Sequence, residues 1–497
     1  MTRLFGAAAA TDPMGLYEKL RATHGPVAPV LLDGDVRAWL VLGYLENRDV
    51  ASRSTQFSRD PRIWHGWKSG EIDPTASPLV PMIGWRPDCV CADGEEHQRL
   101  RGAVTAGLNQ FDQRGIRRHI TRFAHQLVDE FCERGKAELV GQFTEHLPML
   151  VLTHLLGMPD EYGPKLVHAS RDLFKGTETS LASNAYVLET LEQLVVAKRA
   201  LPGQDIASVL MSHPADLTDE EVQHHLRLIL LAGYETTANL MSNVLRMVVT
   251  DPRFRGSLAG GQMTLPEAVE QVLWDEPPLM VCPGRWATGD TSLGGQEIKA
   301  GDMLLLGLAA GNVDQAVRPD PSTRVHHNRA HLSFSAGAHE CPGQDISRVI
   351  ADTGIDVLLT RLPDISLAVP EDELTWRSST WARHLTALPA KFASRGPEAH
   401  DVLTPLPAPP PPSSGMPTQP QWPASEPELM RRPEPRASWR AWLRRVPRGG
   451  GGAPGASEPR PPHKGGRRAP RGGGPPPARG GARPAPPPLP PAPAGQG

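Results

Sequence analysis

Phe334-Ser335-Ala336-Gly337-Ala338-His339-Glu340-Cys341-Pro342-Gly343 is the stretch on which the reading of this chain turns. It leads into a segment whose apolar residues Ile346, Val349, Ile350, Val357 and Leu358 fall mostly on one face of a helix. That helix is predicted from Pro342 to about Leu362, where Pro363 stops it. Cys341 then falls at the N-cap and Pro342 at the first helical position, where its missing N–H costs nothing. The free N–H groups and dipole of that helix end would lower the thiol pKa and favour a thiolate. Gly337 would permit the bend that presents the sulfur. A lone cysteine is more often an inert buried residue, so the rest of the chain has to decide between the two.

A long helix starts at Thr218, where Thr218-x-x-Glu221 forms a capping box and Asp219 and Glu220 add negative charge to the positive end of the dipole. No stop follows until Asp251-Pro252, giving about 30 residues or about 45 Å, enough to cross a domain. Leu226 to Leu231 is apolar apart from Arg227, as burial requires. Inside it lies Ala232-Gly233-Tyr234-Glu235-Thr236-Thr237. A mid-helix Gly costs about 1 kcal/mol relative to Ala, and paired Thr residues add to that. These six residues alone admit two readings: a kinked core helix whose Thr hydroxyl bonds the i−4 carbonyl, or a functional groove.

A second helix is predicted from Pro266 to Trp274, followed by a strand-rich stretch with turn signals at Pro283-Gly284, Gly289-Asp290, Gly294-Gly295 and Gly301-Asp302. Together these segments describe a mainly α protein with a minor β component.

The ten residues around Cys341 match every constrained position of the cytochrome P-450 signature: Phe334, Gly337 three residues on, the basic His339 two before the cysteine, and Gly343 two after. Ala232 to Thr237 is similar to that family's oxygen-binding groove. The resemblance, to the soluble bacterial and actinobacterial type, covers about residues 12 to 395. It takes in Asp12-Pro13 through Val27, Ala38 to Gly43, and a last hairpin from Trp376-Arg377 to Pro389.

The resemblance implies a cytochrome P-450 fold in which Cys341 is the axial thiolate of haem b (heme b, iron protoporphyrin IX). It implies that Phe334, Gly337 and Gly343 shape the loop around that thiolate and that His339 reaches a haem propionate. By the same resemblance Ala232 and Gly233 leave room for dioxygen, Thr236 holds it by a hydrogen bond, and Glu235 relays protons from solvent. Asp93 to Arg101 is similar to the H-x-x-x-R start of a propionate-binding helix, with His97 and Arg101 one turn apart on one face. Arg285 stands where the family places another propionate arginine.

The chain departs from the family at one motif. Aligned on Ala268-Val269 and Pro277-Pro278, the E-x-x-R pair that braces the cysteine loop becomes Gln271 and Trp274, with Glu270 one residue early. A few actinobacterial branches of the family are likewise without it. A neutral brace is expected instead, the Gln271 amide bonded to the Trp274 ring N–H. The stretch before the cysteine loop is also unusual, with Ala310-Gly311-Asn312-Val313-Asp314 and a short segment from Pro319 to Arg329.

Composition divides the chain in two. Of 497 residues, 401–497 hold 28 of 53 prolines, 15 of 48 glycines, 14 of 52 Lys and Arg, and only 5 of 55 Asp and Glu. The first 400 residues therefore carry 38 basic and 50 acidic side chains, and the overall −3 is the sum of −12 and +9. A single haem-thiolate domain is expected over 1–395. A disordered tail is expected over 396–497, too poor in large apolar groups to offset the entropy of ordering. Its arginines are read as a solvated linker, a nonspecific binder of nucleic acid or anionic surfaces, or the product of an extended reading frame.

Five cysteines without a C-x-x-C pair fit a reduced compartment. The absence of a signal pattern or a run of apolar residues long enough to span a bilayer fits a soluble, cytoplasmic protein.

The function implied is a monooxygenase that inserts one atom of O2 into a small apolar substrate. Its electrons would come from NAD(P)H through a ferredoxin and ferredoxin reductase, with Arg99, Arg114, Arg117 and Arg118 as candidate docking residues. No membrane or specific nucleic-acid partner is expected. A haem-binding protein with a regulatory or scaffolding role is the alternative. Trp64-His65-Gly66-Trp67 and Trp85 fall where the family lines its pocket entrance, although ordinary packing would explain them equally.

Overall fold

The computed structural model describes residues 1–398 apart from 7–8, 10, 71, 73–76, 78, 176–178 and 321–327. Residues 399–497 of the tail and most of the Pro319 to Arg329 segment lie outside the described residues.

Helices dominate: α1 (Pro13–His24), α2 (Tyr44–Ser52), α3 (Gly94–Asn109), α4 (Gln113–Asp129), α5 (His146–Leu156), α6 (Gly163–Lys175), α7 (Ser180–Ala200), α8 (Ile206–Ser212), α9 (Asp219–Thr250), α10 (Leu265–Asp275), α11 (Leu308–Asn312) and α12 (Gln344–Arg361). The expected capping box starts α9, with the Thr218 hydroxyl accepting from Glu221 N–H and the Glu221 carboxylate accepting from Thr218 N–H. The same device, from Thr264 and Glu267, starts α10. Each satisfies helix-end donors that would otherwise lack partners.

The minor β part is a six-stranded sheet in the order β1 (Thr2–Arg3), β2 (Val27–Leu32), β3 (Val36–Val41), β9 (Met303–Leu306), β6 (Cys282–Ala287) and β4 (Phe57–Ser58). The hairpin β7 (Thr291–Leu293) with β8 (Gln296–Ile298) links β6 to β9. Pro283-Gly284 is not the turn expected there. It lies inside β6, where the register to β9 shifts between Cys282 and Arg285, a bulge that suits a residue pair with no ladder donor at Pro283. Elsewhere, β5 (Lys136–Glu138) and β10 (Ser366–Leu367) flank β13 (Pro389–Lys391), and β11 (Trp376–Ser378) pairs with β12 (Arg383–Leu385) as the last hairpin.

The largest apolar core is helical. Leu226, Leu230, Leu240, Met241, Val244 and Leu245 of α9 pack with Leu147, Val151 and Leu155 of α5 and with Ile350, Ile355 and Leu358 of α12. Burial of this kind contributes about 1.5–3 kcal/mol per large side chain, which offsets the cost of Gly233 and the paired threonines. Smaller cores lie on the sheet, and Trp64 belongs to one of them at 1% exposure. Packing thus accounts for Trp64, while Trp85 is exposed and covered by the Arg62 guanidinium.

Candidate functional site

Cys341 lies on the loop between α11 and α12, closed by its own N–H donating to Phe334 O at 2.9 Å. Helix α12 begins later than expected, at Gln344 with Gly343 as N-cap, so Cys341 stands two residues before the cap and Pro342 precedes the helix. The thiol also differs from expectation: burial pushes its pKa up, with the Gly343 N–H and the nearby Arg101 and Arg348 charges pulling the other way. Burial outweighs these pulls, and a cationic partner at the sulfur would work against it.

Gly337 does what the bend requires. Its φ is +73°, and an added Cβ would lie 2.6 Å from Ala51 O at the end of α2. Ser335 also has a positive φ, +62°, outside helical space with ψ −157°, the kind of local strain that a functional loop retains.

On α9, the Thr236 hydroxyl donates to Ala232 O at 2.7 Å, the i−4 bond of the kinked-core reading. Even so, Ala232 is exposed and Glu235 and Thr236 half-buried in the middle of a helix that is otherwise mostly covered, so this turn borders open space within the fold. Gly233 also has a packing role. An added Cβ would meet Leu152 at 3.2 Å, so its small size serves the close approach of α9 to α5. Burial pushes the Glu235 carboxyl up to about 8, against the pull of Arg377. It lines a small cavity with Arg171, Arg377, His384 and Asn239, where His384 Nδ1 and Asn239 Nδ2 find no hydrogen-bond partner among the described residues.

The basic residues expected at the propionates converge. His97 and His339 have ring centroids 4.0 Å apart. Arg285, 1% exposed on β6, donates to Phe57 O at 3.4 Å and Ala51 O at 3.3 Å, and its Nε and His97 Nε2 are buried without hydrogen-bond partners among the described residues. Arg101 donates to Glu340 O beside the cysteine. Arg59, which sequence reasoning missed, joins them, its guanidinium held by Val90, Pro283 and Gly284 carbonyls. Its place after the short Phe57-Ser58 strand carries no signal that single-sequence reasoning could use.

Among the described residues, Asp93 is the carboxylate that faces these guanidinium and imidazole groups. Although burial alone would raise it, His339, Ser58 and the Arg59 N–H hold its carboxyl down at about 2. Burial lowers His339 to about 3 and also lowers His97. A buried surplus of cationic and donor groups with orphaned atoms is costly unless an anion completes it. A dianionic macrocycle with a metal at its centre fits these residues: a sulfur for the metal and guanidinium and imidazole groups for the carboxylates.

The expected Gln271–Trp274 bond is not formed. Gln271 donates to Asp275 at 2.7 Å and Trp274 Nε1 to Asn328 O at 2.8 Å, since the helix turns their side chains to different neighbours. Glu270, one residue earlier, is the buried carboxylate, 5% exposed. Burial would raise it, but His331 and Arg348 hold it at about 2. Among the docking candidates, Arg99 is occupied by Glu96 and Glu221 and Arg117 by Asp352, while Arg114 and Arg118 are exposed.

No family model matches the chain. The chain is 32% identical over 389 residues to cytochrome P450-SU2 of Streptomyces griseolus, covering 76% of this chain and 93% of that protein. It is 30% identical over 399 residues to 2-hydroxy-5-methyl-1-naphthoate 7-hydroxylase of Streptomyces carzinostaticus, covering 77% and 96%. Among solved structures, CYP154C4 from Streptomyces sp. W2061 superposes with a TM-score of 0.70 at 29% identity, covering 76% of this chain and 94% of that one. CYP154A1 from Streptomyces coelicolor A3(2) superposes with a TM-score of 0.70 at 28% identity, covering 77% and 98%. Fold and relatives together define an oxidoreductase of the haem-dependent monooxygenase class. The chain belongs to the cytochrome P-450 family. No helix among the described residues is long and apolar enough to cross a membrane.

Proposed function

We propose that Cys341 ligates the iron of haem b and that the protein inserts one oxygen atom from O2 into a small apolar substrate in the cytoplasm. Its domain would span 1–395, with 396–497 as a separate tail. When bound, the haem supplies the iron at which O2 is reduced. The observation that carries the reading is the convergence of His97, His339, Arg101, Arg285 and Arg59, with two buried polar atoms unpartnered, beside the Cys341 loop.

In this reading His97, Arg101, Arg285 and His339 hold the propionates, and Arg59 joins them. Phe334, Gly337 and Gly343 shape the loop that presents the sulfur. Ala232 leaves space for O2 and substrate. Thr236, whose hydroxyl hydrogen is committed to Ala232 O, offers its oxygen as an acceptor at the reacting centre. Glu235, protonated near neutral pH by burial, delivers protons through the cavity that Arg377 and His384 line.

Electrons would come from NAD(P)H through a ferredoxin and its reductase, with Arg114 and Arg118 left exposed for an acidic partner. The acid at Glu235 favours turnover over a purely regulatory haem protein, which needs no proton relay. The test is a compound library screened for a substrate-induced spin-state change, then for NAD(P)H and O2 consumption with surrogate donors. Consumption with oxidised product supports the proposal. A protein whose haem reduces but consumes no O2 with any donor or peroxide contradicts it.

A further inference from the structure

The Cys341 loop is fastened at both ends by one carboxylate that the family's motif does not contain. Glu270 lies on α10, far in sequence from the loop. Its Oε2 is 3.0 Å from His331 Nε2, ten residues before the cysteine, and its Oε1 is 2.5 Å from Arg348 Nε, seven residues after it. His331 Nδ1 accepts from the Ser333 N–H at 3.3 Å, so Nε2 carries the ring proton and donates to Glu270. Arg348 Nη2 adds a contact to Oε2 at 3.4 Å, and the exposed Arg329 approaches Oε1 at 3.4 Å.

Both partners of Glu270 also touch Phe334, the residue that opens the loop. The Arg348 guanidinium lies 4.5 Å above its ring, and the His331 ring centroid is 5.7 Å away. Trp274 packs edge-on against His331, with ring centroids 5.9 Å apart. The side chains of Glu270 and Arg348 are 7% and 11% exposed and that of His331 is 1%. The pairing is therefore a desolvated network, in which a missing partner is expensive and a full set is rigid.

We propose that Glu270 and Arg348, joined by His331, form an inter-helix ion-pair brace that positions the Cys341 loop, in place of the same-helix E-x-x-R pair. Glu270 and Arg348 are positioning residues that act through Phe334 and the loop backbone. The brace rests on the reading of Cys341 as the haem ligand. It goes further by assigning the cation to the helix that follows the cysteine.

The test uses the haem-loaded full chain and compares Glu270→Gln, Arg348→Met and the double variant with the native protein. The readouts are the fraction of ferrous-CO haem that carries the red-shifted thiolate band, and thermal unfolding of the same samples. Each single variant removes one side of the desolvated Glu270–Arg348 ion pair, with Glu270 left to His331 and Arg329 or Arg348 left to Gln344, so the thiolate fraction is expected to fall below about half the native value. The double variant removes both charges and is expected to recover at least part of that loss, a non-additivity that a merely structural side chain would not give. Gln271→Ala is expected to leave the fraction native.

Native thiolate fractions in both single variants, even with lowered unfolding temperatures, would overturn the brace. So would additive losses in the double variant, or losses centred on Gln271→Ala. If the single variants do not fold, Arg348→Lys is measured instead: it keeps the charge but not the guanidinium geometry. A partial thiolate loss in that folded protein supports the brace, and a native spectrum refutes it. A native protein without any thiolate band refutes the haem reading instead, and the brace is then judged by the non-additivity of the unfolding temperatures.

Discussion

The Thr237 hydroxyl lies 3.0 Å from the Ser347 hydroxyl, joining the helix that carries Glu235 and Thr236 to the helix that follows Cys341. Thr237 is 1% exposed, so this bond has little competition from water. Replacing Thr237 by Val keeps the shape and removes the bond, and stability is expected to fall by about 1 kcal/mol in urea unfolding. A Thr237→Val/Ser347→Ala cycle should return a coupling of about 0.5 kcal/mol or more. Additive losses would mean that the two helices are held by apolar packing alone.

Glu235 gives a pH dependence of defined sign. Its folded-state pKa of about 8 lies above the ordinary carboxylate value of 4.5. The folded protein therefore holds this proton more tightly than the unfolded chain. Its contribution to stability is full below about pH 4.5 and is lost as pH rises through about 8. Product formation should decline over the same upper range as the proton donor is depleted. Glu235→Gln should lower turnover by about 100-fold and flatten that limb of the profile, as steady-state product assays from pH 6 to 9 would show.

Arg285 should have opposite effects with and without haem. It has no carboxylate partner among the described residues and an unpartnered Nε. In the apoprotein it is a buried cation, so Arg285→Met is expected to raise the urea midpoint. In the holoprotein the same change removes a propionate partner and should weaken haem retention by about 2–5 kcal/mol, seen as faster haem transfer to an acceptor apoprotein. A stabilised apoprotein with native haem retention would remove Arg285 from the site.

Gly337→Ala tests the loop backbone. The left-handed φ of +73° costs an Ala about 1–2 kcal/mol, and the new methyl would press on Ala51 O at 2.6 Å. The expected outcome is a loss of more than about 2 kcal/mol with a lower haem content, checked by unfolding and by the haem-to-protein ratio.

Much of the site was legible because local patterns carry it. The ten-residue loop, the Thr218 capping box and the one-turn spacing of His97 and Arg101 are each written within a few neighbouring residues. The three helices over Thr218 to Asp251, Pro266 to Trp274 and Pro342 to Leu362 follow from capping, periodicity and proline stops in the same way, while the last hairpin rests on the family resemblance. What escaped depends on contacts far apart in sequence. Glu270 meets Arg348 because α10 and α12 pack together, whereas alignment on the family's E-x-x-R motif points to Gln271 and Trp274 instead. Gly233 also has Leu152 of another helix as its neighbour, which no pattern on α9 records. The helix end alone predicts a lowered pKa for the Cys341 thiol, whereas burial raises it.

The central claim is that Cys341 supplies a thiolate to haem iron, and the reduced protein under CO tests it most directly. The native chain is expected to show the red-shifted Soret band of thiolate ligation, while Cys341→Ser loses that band and the other four cysteines can be replaced without affecting it. A native protein with no Soret absorption, or with a CO complex lacking the red shift, would contradict the account.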